Sequence, residues 1–371
     1  MTQESRQERI PVEFVSEFFP HYRQSLVEAL GKDPTLEARW VSQATSIKDH
    51  GIPSARLPKK AWVETRISQL PLGLAWQAHI FWRALRHTSR VYVFTGDPRF
   101  LSTWLSVPIA RLRGAKVLFW THGWTRPDNR WRGSVKKVFF SLSDGLLLYS
   151  DEGKALGEAS GFSRSMYVIY NSMGAPLTSG QVTATSGPSR SQHQRWIVVS
   201  RLIEGRDLDH VIKQAGRLRR MGKSVEVDII GEGPLADSLQ RLAREMQVPA
   251  RFRGAIYDQD ETAALLARSD ALLSPGNVGL AAVHALSAGC PVVTHDDAFR
   301  QMPEHTAVVH GVTGIKFPYG NFDAMGDMTW DFVATTDRSM VIDACHREIL
   351  RRWSPESQAV RIVEAVTNQV S

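Results

Sequence analysis

The chain reads as an α/β protein built from two Rossmann-like, doubly wound parallel sheets. Three observations predict this. Apolar runs of strand length alternate with helical spacings along both halves, the pattern of repeated β-α units with right-handed crossovers. The segment Ser274–Thr294 condenses one such unit into strand end, glycine-rich loop, helix, glycine stop and new buried strand. The 371 residues, 43% hydrophobic and 22% charged, are globular in composition and too many for one ordinary core.

In the first half, Arg9–Val15 is a weak first strand leading through Phe18-Phe19-Pro20-His21-Tyr22-Arg23 into a helix from about Gln24 to Leu30. Arg90–Gly96 is a better strand with a glycine turn. Lys116–Gly123 is stronger, an apolar run ending in the polar cluster Thr121-His122-Gly123. Such an ending is expected where a parallel strand meets a ligand crevice. Gly145–Ser150 and Met166–Ser172 complete the set. Residues 178–195 are rich in Ser, Thr and Gly without apolar periodicity, and read as a linker able to act as a hinge. Beyond it, Trp196–Leu202, Val225–Ile230, Ala250–Gly254 and Ala271–Leu273 are strands, with a helix over Leu208–Leu218. Leu280–Ala288 has helical spacing, Gly289 stands at its C-cap, and Pro291-Val292-Val293 opens a strand. Ser354-Pro355 starts a final helix running to Val370.

The order of motifs in the second half is more specific than any one of them. Ser200-Arg201-Leu202 is followed by Arg206, Gly231-Glu232-Gly233-Pro234, Gly254, and then Pro275, Gly276, Asn277, Val278, Gly279, Leu280, His284, Ala285, Gly289, Pro291 and Val292. This order resembles the nucleotide-sugar half of retaining glycosyltransferases of the GT-B fold, glycosyltransferase family four, over about 150 residues. The Thr121-His122-Gly123 and Tyr170-Asn171-Ser172 segments resemble the same family.

The resemblance implies two Rossmann-like domains facing across a crevice. It divides the chain into an acceptor-side domain (1–177), a linker (178–195), a nucleotide-sugar domain (196–350) and a C-terminal segment (351–371) returning to the first domain. It implies a sugar transferred with retention from a nucleoside diphosphate donor to a cell-surface polysaccharide or lipid-linked glycan precursor. Ser200, Gly123, Gly231, Gly233, Gly254 and the Gly276–Leu280 loop would surround the donor, and His21, Tyr22 and Arg23 the acceptor. His122 would face the donor sugar, and Asn171 the entry to the crevice.

The chemistry is consistent with this. Diphosphate leaves as an anion, and its developing charge needs stabilisation. Arg201 can clamp phosphate oxygens, and Arg206 adds a second cation where the family usually has Lys. Amides at the start of the helix after Asn277 suit the same anion. No metal or other cofactor is expected. Asp296-Asp297 read as loop carboxylates rather than metal ligands. Two positions depart from the family, whose loop carries two carboxylates: here they are Gly276 and His284. A neutral imidazole can accept one ribose hydroxyl but cannot copy a carboxylate.

The formal charge is +7, and the first 173 residues hold 24 Lys and Arg against 15 Asp and Glu, with eight of the 11 Trp. The run Trp124–Phe140 mixes aromatics with cations and suggests peripheral contact with anionic headgroups or a lipid diphosphate acceptor. No nucleic-acid fold accompanies the charge. Two cysteines, no hydrophobic signal core and no apolar run of spanning length lead to the expectation of a cytoplasmic protein, at the inner face of the membrane. An NAD dehydrogenase is disfavoured, because Gly231-Glu232-Gly233-Pro234 lacks the third glycine of the dinucleotide fingerprint. A GT-B epimerase using His122 and Glu304, and a non-catalytic partner subunit motivated by Gly276 and His284, are the alternatives.

Overall fold

A computed structural model describes residues 9–46, 52–126, 130–174 and 192–370. They form two compact units: residues 1–170 with 355–371, and residues 171–354.

The strands of the first unit are β1 (Ile10–Val15), β2 (Leu36–Ser42), β3 (Trp62–Glu64), β4 (Ile67–Gln69), β5 (Ala75–Gln77), β6 (Val91–Thr95), β7 (Lys116–Thr121), β8 (Gly145–Leu148) and β9 (Ser165–Val168). Its helices up to residue 170 are α1 (Gln24–Lys32), α2 (Ile80–Arg86), α3 (Leu101–Leu112), α4 (Arg130–Ser141) and α5 (Asp151–Ala159). Seven strands make one sheet in the order β3-β2-β1-β6-β7-β8-β9, and the pairs are parallel. β4 and β5 form a separate antiparallel pair.

Both faces of the main sheet are covered, so its central strands are apolar throughout. In β7, Leu118 and Trp120 enter one core and Val117 and Phe119 the other. The sequence reading locates β1, β6, β7, β8 and β9 but not β2 to β5. Glu37 and Arg39 interrupt β2, and β3 to β5 have three residues each, too few for a period.

The second unit contains β10 (His193–Val199), β11 (Ser224–Ile230), β12 (Ala250–Phe252), β13 (Ala271–Ser274), β14 (Val292–His295) and β15 (Gly314–Phe317). Around them lie α6 (Asp209–Arg220), α7 (Ala236–Glu245), α8 (Gln259–Ala267), α9 (Leu280–Ser287), α10 (Phe322–Thr335) and α11 (Arg338–Glu348). The order is β12-β11-β10-β13-β14-β15, again with parallel pairs. Of the expected linker, 178–191 lies outside the described residues. Residues 193–195 are strand instead, because His193 pairs with Ser224 and buried Gln194 donates to the Trp330 carbonyl at 2.9 Å.

The last helix, α12 (Pro355–Val370), belongs to the first unit, where Ile362, Ala365 and Val366 join the core of Leu26, Val27 and Leu30 from α1. Residues 351–354 lie instead in the second unit.

Among the described side chains of the Trp124–Phe140 run, the aromatic rings face inward. Trp124, Phe139 and Phe140 are buried, and Trp124 packs against Phe140 at 5.2 Å and Phe162 at 5.4 Å. The inward face of α4 takes Phe139 and Phe140 into the core, leaving Lys137 and Val138 outside. Residues 127–129 of this run, and the side chains of 130–132, lie outside the described residues.

Candidate functional site

Each sheet reverses its strand order once, between β1 and β6 in the first unit and between β10 and β13 in the second. Ligands of doubly wound folds bind beyond the carboxyl ends of the strands at that switch. The candidate residues gather at both places.

In the second unit, β10 runs into Ser200 and Arg201, and β13 runs into the Pro275–Gly279 loop. The Arg206 guanidinium bridges the two sides. Its Nη1 donates to the Asn277 carbonyl at 2.9 Å and also to Asn277 Oδ1, while Gly276 N donates to the Arg206 carbonyl at 3.1 Å. The far side of the loop is held by Gln301, whose Oε1 accepts from Val278 N at 2.8 Å and whose Nε2 donates to Thr294 Oγ1 at 2.7 Å. Buried Glu304 accepts from Asn171 Nδ2 at 2.7 Å, and its Oε2 lies 4.0 Å from where a Cβ on Gly279 would stand.

Two expected loop amides are therefore engaged inside the protein. Gly276 N and Val278 N have protein acceptors, which leaves the amides of Asn277, Gly279 and Leu280, the last two at the start of α9, to meet an anion. Arg201 is exposed. Burial pushes the Arg206 pKa down and the neighbouring Arg201 charge adds to this. Among the described residues neither guanidinium forms an ion pair with a carboxylate. Two cations meeting at the switch point favour an anionic ligand.

Gly231 and Gly233 let the β10 and β11 loops touch. A Cβ on Gly231, at φ 138°, would overlap the Ser200 carbonyl oxygen, and one on Gly233 the Leu202 carbonyl oxygen. Gly254 is exposed, and its carbonyl accepts from Gly231 N at 2.8 Å. These glycines place Ser200 and Arg201.

The two departures acquire physical causes here. A Cβ on Gly276 would stand 2.8 Å from the Gly205 carbonyl oxygen and 2.9 Å from Arg206 Cα, so the site has no room for a longer residue. Gly276→Glu is expected to weaken anion binding through displacement of Arg206, not to restore a carboxylate function; calorimetry with a nucleoside diphosphate would check this. His284 is buried, and its Nε2 lies 3.2 Å from the Gln259 carbonyl. That carbonyl requires a protonated Nε2, so this nitrogen is a donor tied to α8 and not the expected free acceptor for ribose. Burial lowers the His284 pKa, offset in part by the Gln259 carbonyl and Asp260. Asp297 caps the following turn through Phe299 N at 3.1 Å, and Asp296 accepts from Tyr319 N at 3.0 Å.

The first unit has a cavity of about 360 Å³ at its own switch point. Ser16 and Glu17 beyond β1, Thr95 and Gly96 at the end of β6, and Trp120 and His122 at the end of β7 line it together with Tyr22, Arg23 and Tyr149. Arg23 Nη2 donates to Tyr149 Oη at 2.7 Å, its guanidinium lies over Trp120 at 4.4 Å, and the His122 ring sits 4.7 Å from Tyr149. The aromatic faces and carboxylates suit a polyhydroxylated ligand. His21 is not among the lining residues; its ring packs edge-on to Tyr22 at 5.8 Å. Gly123 is a buried turn glycine at φ 60°, where a Cβ would meet Leu148 Cδ2 at 2.7 Å, so it shapes the turn after His122. Sequence reasoning missed Tyr149 and Gln301. Tyr149 does carry a signal, as the polar end of the apolar run Leu146-Leu147-Leu148.

His122 is exposed to solvent, although surrounding protein crowds its ring. Desolvation by the surrounding protein, and then the Arg23 charge, lower its pKa to about 4. The unfolded imidazole titrates near about 6.5. The unfolded chain therefore binds a proton that the folded chain refuses, so this contribution to stability is complete above pH ~6.5 and lost as pH falls toward 4. His122→Asn is expected to flatten the fall in unfolding free energy across that window. The imidazole signals of the wild type should still report a neutral ring at pH ~5.5. Tyr149→Phe is expected to cost about 1.5–3 kcal/mol of stability through the lost bond from a charged donor, read by denaturant unfolding.

Residues 193–333 match the family described as glycosyl transferases group 1. A curated relative, the GDP-mannose-dependent α-(1-6)-phosphatidylinositol dimannoside mannosyltransferase of Mycobacterium tuberculosis, is 38% identical over 96 residues, 25% of each chain. The match thus spans a quarter of that relative's length. Among solved structures, the lipopolysaccharide outer core galactosyltransferase WaaB superposes with a TM-score of 0.68 at 14% identity, covering 97% of this chain and 99% of the other. Anabaena HepE, solved with UDP-glucose, gives a TM-score of 0.65 at 14% identity over 97% and 100% of the two chains. The segment 193–333 thus resembles the glycosyl transferases group 1, and the two parallel-sheet units have the GT-B fold.

Proposed function

We propose that the protein is a retaining glycosyltransferase that uses a nucleoside diphosphate sugar. The observation that carries this reading is the Arg206 brace on Asn277, with Arg201 on the adjacent loop and the start of α9 beside it. Two guanidiniums and a helix N-terminus suit a diphosphate, whose charge rises as the bond to the sugar breaks. Arg201, exposed, takes up the phosphates from solvent. Arg206, partly buried, holds the loop and supplies the second charge.

In the proposed reaction the anomeric carbon loses its bond to the diphosphate oxygen and gains one to an acceptor hydroxyl, on the same face. The hydroxyl proton passes to the leaving diphosphate. No protein nucleophile and no metal ion enters this scheme. The neutral imidazole of His122 can accept a hydrogen bond from a sugar hydroxyl, which a protonated ring could not.

For the acceptor we propose a glycan or its lipid-linked precursor at the inner face of the membrane. The mannosyltransferase relative, named for a phosphatidylinositol mannoside, supports that choice, and the HepE complex supports a nucleotide sugar as donor. Among the described residues no helix is long and apolar enough to cross a membrane.

The test is incubation with UDP-, GDP- and ADP-sugars and a membrane glycolipid extract, with products followed by mass and anomeric proton coupling. A glycosylated lipid with the donor's anomeric configuration is expected. Inversion would overturn the retaining mechanism. An epimerised sugar nucleotide would mark an isomerase, and nucleotide binding without any product would mark a non-catalytic partner.

A further inference from the structure

Helices α2, α3 and α4 cover one face of the first unit's sheet. Ile80 and Ala84, Val107 and Ala110, and Phe139 and Phe140 point inward into one core. Their outer faces remain apolar: Trp82 is 55% exposed, Leu105 52%, Leu112 86% and Val138 59%. Along α3, Leu101, Leu105, Ile109 and Leu112 follow one another at helical spacing, a single stripe about 16 Å long. A soluble surface rarely leaves such a row open without a partner.

The charge around the row is one-sided. No Asp or Glu occurs in α2, α3 or α4, and residues 79–143 hold 12 Lys and Arg against only Asp97 and Asp128. Several of these cations have protein partners, among them Arg83 with buried Glu13, Arg99 with Asp97 at 2.6 Å, Arg111 with Asp144 at 2.9 Å, and Lys137 with the Ser160 carbonyl at 3.2 Å. Others stand exposed at one end of the stripe. α2 and α3 end where β6 and β7 begin, and Val91 pairs with Lys116, so Arg86, Arg90, Arg113 and Lys116 collect beside Leu85 and Leu112.

From this arrangement we infer that the outer face of α2, α3 and α4 docks in the plane of a bilayer containing anionic lipids. The leucine stripe needs hydrocarbon, and the collar needs anions. A nucleic acid offers only the second. An anionic bilayer offers both within the reach of one helix face, with the stripe in the acyl boundary and the collar at the headgroups. At its other end the stripe starts near Pro98, which lines the first-unit cavity and whose carbonyl accepts from Trp104 Nε1 at 2.9 Å. A hydroxyl carried on a lipid headgroup would meet that cavity at the interface. This last point rests on the acceptor proposed above; the docking itself does not.

The test is flotation of the full chain with phosphatidylcholine vesicles, with and without phosphatidylglycerol. Wild-type protein is expected to float with the anionic vesicles and to be released by salt. Leu105→Asp with Leu112→Asp, and separately Arg113→Glu with Lys116→Glu, are each expected to reduce partitioning by about tenfold or more. Nucleoside diphosphate binding by the same variants should match the wild type, which shows that they are folded. The inference is overturned by wild-type protein that ignores anionic vesicles, or by variants that float equally well. It is also overturned if the wild type is a dimer that the leucine variants dissociate without any vesicle binding, since a second copy would then cover the face. Vesicle binding without nucleotide binding would remove the proposed function and leave the docking in place.

Discussion

Binding of a nucleoside diphosphate is expected to weaken by about 2–5 kcal/mol when Arg206 is replaced by alanine. The change removes a partly buried charge and both bonds from Nη1 to Asn277. The loop would then keep the backbone bond from Gly276 N to the residue-206 carbonyl, the Ser274 hydroxyl bond to the Asn277 carbonyl and the Gln301 contacts. Arg201→Ala should cost less, roughly 1 kcal/mol, because that guanidinium is exposed and screened by water. Calorimetry on the two variants gives the comparison. Equal affinity of wild type and Arg206→Ala, with folding intact, would remove the assignment of the anion site.

Gly231→Ala should be the most damaging single methyl in the second unit. The new Cβ would overlap the Ser200 carbonyl oxygen, and φ 138° is a conformation that alanine avoids. Relief requires β10 and β11 to part at their carboxyl ends, where Ser200 N donates to the Ile230 carbonyl at 3.0 Å. A loss of at least about 3 kcal/mol is expected, with nucleotide binding lost alongside it. Thermal unfolding reads the first effect, and an unchanged midpoint would contradict it. Gly254→Ala is a useful contrast. No atom lies within 4 Å of its added Cβ, so only the backbone strain at φ 70° remains.

The central strands were legible because a parallel strand covered on both faces must be apolar along its length, as Val117 to Trp120 are. β2 was not, because Glu37 and Arg39 break the run and only pairing with β1 makes it a strand. At the site, the arginines and the glycine loop could be read from order and spacing, since both lie on segments that directly follow strands. The environment of His284 could not. Its partner carbonyl at Gln259 comes from another helix 25 residues away. Gln301 was equally hidden, because a glutamine in a loop carries no pattern until the fold brings Val278 and Thr294 to it. The tryptophan-rich run misled for a related reason. Composition does not say which side of α4 faces inward, and there Phe139 and Phe140 are buried while Lys137 and Val138 are exposed.

The most direct test of the central claim is titration of the purified chain with UDP, GDP, dTDP, ADP and CMP by calorimetry. Saturable binding of one nucleoside diphosphate in preference to the other nucleotides is the predicted result. No binding by any of the five would contradict the nucleotide-sugar site at Arg201, Arg206 and the Gly276–Leu280 loop.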